Sequence, residues 1–229
     1  FSEASGERFV LKILASDVPR GFFPFQNFDA GTVAPTAIGL ADVDLNTIAD
    51  LIVVSAGKVP ATPPFEHDGT VVALRRDGTG RIVTLDLLAD QLSPIGVEAA
   101  DWDLDGDADL LIAQRYGPLL VLRNEGGMEF SEQVLGAAST LQMIRTDLDR
   151  DGQWDLLLLQ TAEKVLRLEH QEGEFREAGG FVAGSVPLAM TAGDFNGDGV
   201  IDLAVANAGS DSVSIVYGSC GRTRAVRRR

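Results

Sequence analysis

Residues 101–109 read Asp101-Trp-Asp-Leu-Asp-Gly-Asp-Ala-Asp109 and run directly into Leu110-Leu-Ile-Ala113. Acidic residues at the first, third, fifth and ninth positions, a Gly at the sixth and an apolar run at the end make a recognisable unit. With changes, it recurs as Asp42-Val-Asp-Leu-Asn-Thr-Ile-Ala-Asp50, Asp147-Leu-Asp-Arg-Asp-Gly-Gln-Trp-Asp155 and Asp194-Phe-Asn-Gly-Asp-Gly-Val-Ile-Asp202. The last three windows begin 46 and 47 residues apart, and the longer first interval, 59 residues, holds an extra polar, Pro-rich stretch from Lys58 to Asp68. A period near 46 residues is the length of a propeller blade rather than of a helical repeat.

The flanking residues support the same unit. Four residues before each first Asp stands an apolar side chain, Ile38, Val97, Met143 or Met190, which marks an incoming strand. Each ninth Asp is followed by Leu51-Ile-Val-Val, Leu110-Leu-Ile-Ala, Leu156-Leu-Leu-Leu or Leu203-Ala-Val-Ala. Short apolar runs without a 3.6-residue period read as strands covered on both faces. A third strand follows (Val71-Val-Ala-Leu, Leu119-Leu-Val-Leu, Val165-Leu-Arg-Leu, Val213-Ser-Ile-Val), then Gly-rich turns and a more polar fourth, as in Glu129-Phe-Ser-Glu-Gln-Val and Glu174-Phe-Arg-Glu. Repeated sets of four antiparallel strands predict an all-β chain, a β-propeller of four-stranded blades.

The repeats are placed at 35–94 (with the insertion 58–68), 95–138, 139–185 and 186–218. They are preceded by an N-terminal segment, 1–34, read as an outer strand or the remnant of a preceding blade, and followed by a basic tail, 219–229, to which no function is given. The fourth repeat lacks the usual Gly-rich turn and fourth strand after Gly218. The chain is therefore expected to be either a small closed propeller or an arc of a larger one. His67 and His170 are expected to be exposed bystanders, and Trp102 and Trp154 to belong to the core.

The formal net charge is -15, from 34 acidic and 19 basic residues. Fifteen of those acids lie in the four nine-residue windows, and the 19 elsewhere equal the chain's 19 bases. Charge concentrated in loops, rather than spread along a solvated face, marks a place for a cation. The same balance repels phosphate backbones, which excludes nucleic acid as a partner. The single cysteine, Cys220, excludes an intrachain disulfide and a Cys-based zinc site. No apolar run approaches the roughly 18 residues that span a bilayer, so membrane insertion is not expected.

Alternating short oxygen-bearing side chains at positions one, three and five, a tight reversal at six and a returning carboxylate at nine suit Ca²⁺, which takes six to eight oxygens at about 2.3–2.6 Å. The expected ligands are Asp42, Asp44, Asn46 and Asp50; Asp101, Asp103, Asp105 and Asp109; Asp147, Asp149, Asp151 and Asp155; and Asp194, Asn196, Asp198 and Asp202. The main-chain carbonyls of Ile48, Asp107, Gln153 and Val200 complete the four sets. An EF-hand would need a bidentate Glu at its twelfth position, where this chain has Val53, Ile112, Leu158 and Val205. Turn chemistry alone calls for one or two such residues per loop, not four. Without a cation, carboxylates about 4 Å apart repel by about 4 kcal/mol per pair at an effective dielectric of 20. Three or four structural Ca²⁺ per chain are expected. Carboxylate count ranks the second and third loops first, then the fourth, and last the first loop, which has Thr47 where Gly belongs.

These residues resemble the FG-GAP or VCBS repeat family, of which the calcium-binding blades of integrin alpha-subunit propellers are members. The last unit is most similar, from Val186-Pro through Ala192-Gly-Asp-Phe-Asn-Gly-Asp-Gly-Val-Ile-Asp-Leu-Ala-Val-Ala-Asn207 to Ser212-Val-Ser-Ile-Val-Tyr-Gly218. The resemblance covers roughly residues 35 to 218. It implies a β-propeller with calcium between the first two strands of each blade, commonly in secreted or surface proteins.

No nucleophile elbow, zincin helix, phosphate loop or dinucleotide fingerprint occurs, so no catalytic residue is assigned. The expected function is recognition or scaffolding outside the cytoplasm, extracellular, at the cell surface or periplasmic, with a protein or glycan partner. The alternatives are a glycan-binding lectin or a propeller-based polysaccharide lyase or hydrolase module. The chain starts at Phe1, and Lys12 interrupts its early apolar stretch, so either a leader has been removed or the chain is a piece of a longer protein.

Overall fold

The computed structural model describes residues 10–17, 21–29, 35–57, 68–79, 81–171 and 173–218; residues 10–17, 21–29, 76, 137 and 138 are described by backbone alone. The insertion up to His67 and the basic tail lie outside the described residues.

The fold is all-β. Strands β1 (Val10–Asp17) and β2 (Gly21–Asp29) pair with each other as a separate hairpin. Blade 1 is β3 (Pro35–Ala41), β4 (Asp50–Ser55), β5 (Gly69–Arg76) and β6 (Ile82–Gln91). Blade 2 is β7 (Pro94–Ala100), β8 (Asp109–Gln114), β9 (Pro118–Asn124) and β10 (Phe130–Ala138). Blade 3 is β11 (Thr140–Thr146), β12 (Asp155–Gln160), β13 (Lys164–Gln171) and β14 (Glu174–Val182). Blade 4 shows β15 (Pro187–Gly193), β16 (Asp202–Asn207) and β17 (Ser212–Val216). Each blade is an antiparallel meander in chain order. This is the propeller architecture that the repeat predicts.

Central strands are apolar because both faces are covered. All six residues of β8 are buried, and its alternate side chains go to different cores. Leu110 and Ile112 pack with Ile52, Val54, Val71 and Ala73 of blade 1. Leu111 and Ala113 pack with Leu156, Leu158, Leu166 and Leu168 of blade 3. A third cluster joins Leu157, Leu159 and Val165 to Met190, Leu203 and Val205 of blade 4. Burial of each such side chain favours folding by about 1.5–3 kcal/mol, so the interfaces between blades are the core. The outer strand β14 has no buried residue, only half-buried and exposed ones, which accounts for its polarity.

First strands of neighbouring blades approach one another, β3 to β7 and β11 to β15, so they line the centre. Side chains stitch them together there. Thr36 Oγ1 donates to the carbonyl of Pro94 at 2.8 Å, Arg145 Nη1 to that of Ala99 at 2.9 Å, and Gln142 Oε1 accepts the Met190 N–H at 2.6 Å. The nine-residue windows all fall between first and second strands.

Candidate metal centre

Three hydrogen bonds recur in all four loops and explain why the sequence folds this way locally. The ninth Asp opens the second strand, is buried, and accepts the N–H of position two with Oδ2: Asp50 from Val43 (3.1 Å), Asp109 from Trp102 (2.9 Å), Asp155 from Leu148 (3.1 Å) and Asp202 from Phe195 (2.9 Å). Position one accepts the N–H of position six: Asp42 from Thr47 (2.7 Å), Asp101 from Gly106 (3.1 Å), Asp147 from Gly152 (3.1 Å) and Asp194 from Gly199 (2.7 Å). Position five accepts the N–H of position seven: Asn46 from Ile48, Asp105 from Asp107 and Asp151 and Asp198 from Gln153 and Val200, at 2.8–2.9 Å.

These bonds need left-handed backbone at two places. At the sixth position φ is +102° for Gly106, +87° for Gly152, +81° for Gly199 and +70° for Thr47, the strain that the missing Gly of the first loop predicts. The fourth position is left-handed as well, at Leu45, Leu104 and Arg150 as well as Gly197. The sequence carries no signal for this in the first three loops, because Leu and Arg are not residues that mark such a conformation.

The third position stands outside this backbone network in the first two loops. Asp44 and Asp103 each meet an arginine from the third strand of their own blade, Arg75 Nη1 to Asp44 Oδ2 at 3.1 Å and Arg123 Nη1 to Asp103 Oδ2 at 3.4 Å. The other oxygen of each, Oδ1, is buried with no hydrogen-bond partner. Carboxylate oxygens of Asp42, Asp44 and Asp50, and of Asp101, Asp103 and Asp109, lie within 4.8 Å of one another. Three converging carboxylates, one of them with a buried oxygen left without a partner, are a donor set that a hard cation takes. The residues of the first two loops therefore fit a calcium ion.

The other two loops differ. In the third, Asp147, Asp149 and Asp151 converge to within 4.8 Å with Asp147 Oδ1 buried and unpartnered, but the ninth-position Asp155 is outside the group. Its Oδ2 meets Arg167 Nη2 at 3.2 Å instead. In the fourth, Asp194 is occupied by two N–H groups, Gly197 at 2.7 Å on Oδ1 and Gly199 on Oδ2, and Asn196 Oδ1 accepts the Asp198 N–H at 2.8 Å. Asn196 Nδ2 also donates to Asp198 Oδ2 at 2.9 Å and the Gly218 N–H to Asp202 Oδ1 at 2.8 Å, and the carboxylates of this loop do not form such a group.

Electrostatics follow the geometry. Burial raises the Asp50 carboxyl above the usual carboxylate range against the Val43 N–H, with the Asp44 and Asp42 charges adding to the rise. Burial raises Asp109 against the N–H groups of Asn124 and Trp102. Asp155 is pushed up to about 6, by burial first, with Arg167 opposing and Asp149 reinforcing. Asp107 is raised by desolvation and then by Asp105, Asp101 and Asp103. Asp194 goes the other way: burial raises it, but the Gly199 and Gly197 N–H groups outweigh that and hold it low. The ninth-position carboxylates of the first three loops thus carry their charge at a cost that a cation would relieve.

Two sequence expectations are corrected. His170 is buried rather than exposed, packed against Trp102 and Phe175 at ring separations of 5.8 and 5.2 Å. Trp154 is exposed rather than core, with the Arg145 guanidinium 4.8 Å from its ring centre. Trp102 is core as expected, at 2% exposure. His67 lies outside the described residues. The arginines Arg75, Arg123 and Arg167 escaped sequence reasoning, since only strand register brings them to loops 18 to 31 residues away.

The sequence profile of FG-GAP-like repeats matches residues 101–158 and 147–205, so the second, third and fourth loops fall in FG-GAP-like repeats. In fold, the chain is similar to BBS1N in complex with ARL6DN. With the crystal soaked with mercury, the TM-score is 0.53 at 16% identity, over 85% of this chain and 55% of that one. With the crystal soaked with lead, it is 0.50 at 16% identity, over 81% and 53%. At that identity the likeness is one of fold, and this chain spans just over half the length of those chains. No curated protein matches the chain in sequence.

Proposed function

We propose that this chain, with its FG-GAP-like repeats on a β-propeller fold, is a calcium-clamped recognition or scaffold module that works outside the cytoplasm. The observation that carries the reading is the pair of buried, unpartnered third-position oxygens, Asp44 Oδ1 and Asp103 Oδ1, each on a member of a group of three converging carboxylates that includes the ninth-position Asp. Turn chemistry uses positions one, five and nine; it gives Asp44 and Asp103 nothing to do.

Calcium would be held in the first loop by Asp42, Asp44 and Asp50 and in the second by Asp101, Asp103 and Asp109. Its contribution there is charge neutralisation and a tie between first and second strands. Arg75 and Arg123 act as positioning residues, each taking the outer oxygen of the third carboxylate and turning the other inward. Loops of this kind fill where calcium is plentiful, which supports an extracellular, surface or periplasmic setting. No described helix is long and apolar enough to cross a membrane. A binding role is supported by fold-level analogy, since the similar BBS1N structures are complexes with ARL6DN. Calorimetric titration of chelator-stripped protein with Ca²⁺ tests the reading. Binding with a matching rise in melting temperature is expected, and a melt identical in chelator and millimolar calcium would remove it.

A further inference from the structure

Strand register shows a substitution that the carboxylate pattern hides. Opposite Ile52 and Leu111 on the third strand stand Ala73 and Val121, and opposite Ala204 stands Ile215. Blade 3 puts Arg167 at that place, opposite Leu157. Two residues further along the same face, where blades 1 and 2 have Arg75 and Arg123, blade 3 has Glu169. A charged residue has therefore taken an otherwise apolar position, and an acid has taken the arginine's.

The guanidinium meets three carboxylates through one nitrogen, while its Nε is buried with no hydrogen-bond partner. Arg167 Nη2 lies 2.8 Å from Asp149 Oδ2, 3.2 Å from Asp155 Oδ2 and 2.7 Å from Glu169 Oε1. Arg75 and Arg123 touch only the third-position Asp of their loops; Arg167 bridges the third and the ninth. Asp149 Oδ1 accepts the Asp151 N–H at 3.3 Å, so the third-position orphan of Asp44 and Asp103 is not repeated at Asp149; the buried unpartnered carboxylate oxygen of this loop is Asp147 Oδ1, at the first position and outside the Arg167 bridge.

We propose that Arg167 is the resident cation of the third loop, joining Asp149 to Asp155 as calcium joins the third and ninth carboxylates of the first two loops, so that blade 3 is clamped without metal. The inference rests on the calcium reading of those two loops. Charge-assisted hydrogen bonds from Nη2 to Asp149 and Asp155 hold the guanidinium in place, and the ion pair with Glu169 adds to them. Calcium would have to displace Arg167 from Asp149 and Asp155. The third loop thus falls from the top of the carboxylate ranking.

Two measurements on the full chain test this. In titration with Ca²⁺, Asp103→Asn should lower the number of ions bound by one, Asp149→Asn should leave it unchanged, and Arg167→Gln should raise it by one. In chelator, Arg167→Gln should melt several degrees below Arg123→Gln and Arg167→Lys, and calcium should restore it. Loss of an ion on Asp149→Asn, bound through Asp147, Asp149 and Asp151, would overturn the proposal. So would an Arg167→Gln variant no less stable in chelator than Arg123→Gln. If Arg167→Gln does not fold, Asp149→Asn and Arg167→Lys carry the test. Absence of calcium binding in every variant would sink the calcium reading instead, while the chelator melts still decide the role of Arg167.

Discussion

His170 Nε2 lies 2.5 Å from the carbonyl oxygen of Trp102. Asn124, at the equivalent place on its own third strand, donates Nδ2 to the carbonyl of Val43 at 3.2 Å. Each side chain crosses from one blade to the second position of the preceding blade's loop, so neighbouring blades are latched beside the candidate sites. His170→Ala should lower stability by about 2–4 kcal/mol, through a vacated space beside Trp102 and Phe175 and an unmet buried carbonyl. His170→Asn should cost less, since Asn does this work in blade 2. Urea unfolding compares them, and equal losses would remove the latch.

The blade interfaces can be probed by truncation. Leu111→Ala, at a fully buried position between blades 2 and 3, should cost about 2–5 kcal/mol. Leu188→Ala, at a residue 63% exposed, should change stability by less than about 0.5 kcal/mol. Comparable losses in denaturant unfolding would mean that the core is elsewhere.

Backbone strain in the loops gives a paired prediction. Thr47→Gly should raise the melting temperature, because φ of +70° costs a side chain about 1–2 kcal/mol, partly offset by the flexibility of Gly in the unfolded chain. Gly106→Ala should lower it by a similar amount, although nothing lies within 4 Å of the added Cβ, because φ there is +102°. If both variants melt like the parent, the left-handed loop geometry is not what the folded chain adopts.

The four loops, the strand runs beside them and the propeller class were legible because each depends on local pattern: oxygen-bearing residues at odd positions, a Gly at six, a leucine after the ninth Asp. What was not legible depends on register. Arg75 and Arg123 share an offset after Leu74 and Leu122, a repeat that could have been seen, but only pairing across strands shows that they reach Asp44 and Asp103. His170 sits in a polar stretch, and its burial follows from the blade beside it, not from its neighbours in sequence. The left-handed Leu45 and Leu104 are imposed by the hydrogen bonds of positions one and five, against their own preference.

Glu98 on β7 gives a pH dependence away from the loops. Burial raises its carboxyl above the ordinary value of 4.5, and Arg145, 3.8 Å away, opposes this only in part. The folded chain therefore holds that proton more tightly than the unfolded chain. Its contribution to stability is complete below pH 4.5 and is lost as pH rises through the higher folded value. Glu98→Gln should match the parent near pH 4 and become the more stable of the two by pH 7. A difference that is constant with pH, or that grows toward acid, would contradict the burial assigned to this group.

The most direct measurement is a crystal structure grown in calcium, with anomalous scattering collected to locate the ions. A peak is expected bounded by Asp42, Asp44 and Asp50 and another by Asp101, Asp103 and Asp109, each with oxygens at about 2.3–2.6 Å, and no peak between Asp149 and Asp155, where Arg167 stays in place. Maps empty at the first two loops, with Asp44 Oδ1 and Asp103 Oδ1 meeting only water, would contradict the calcium reading.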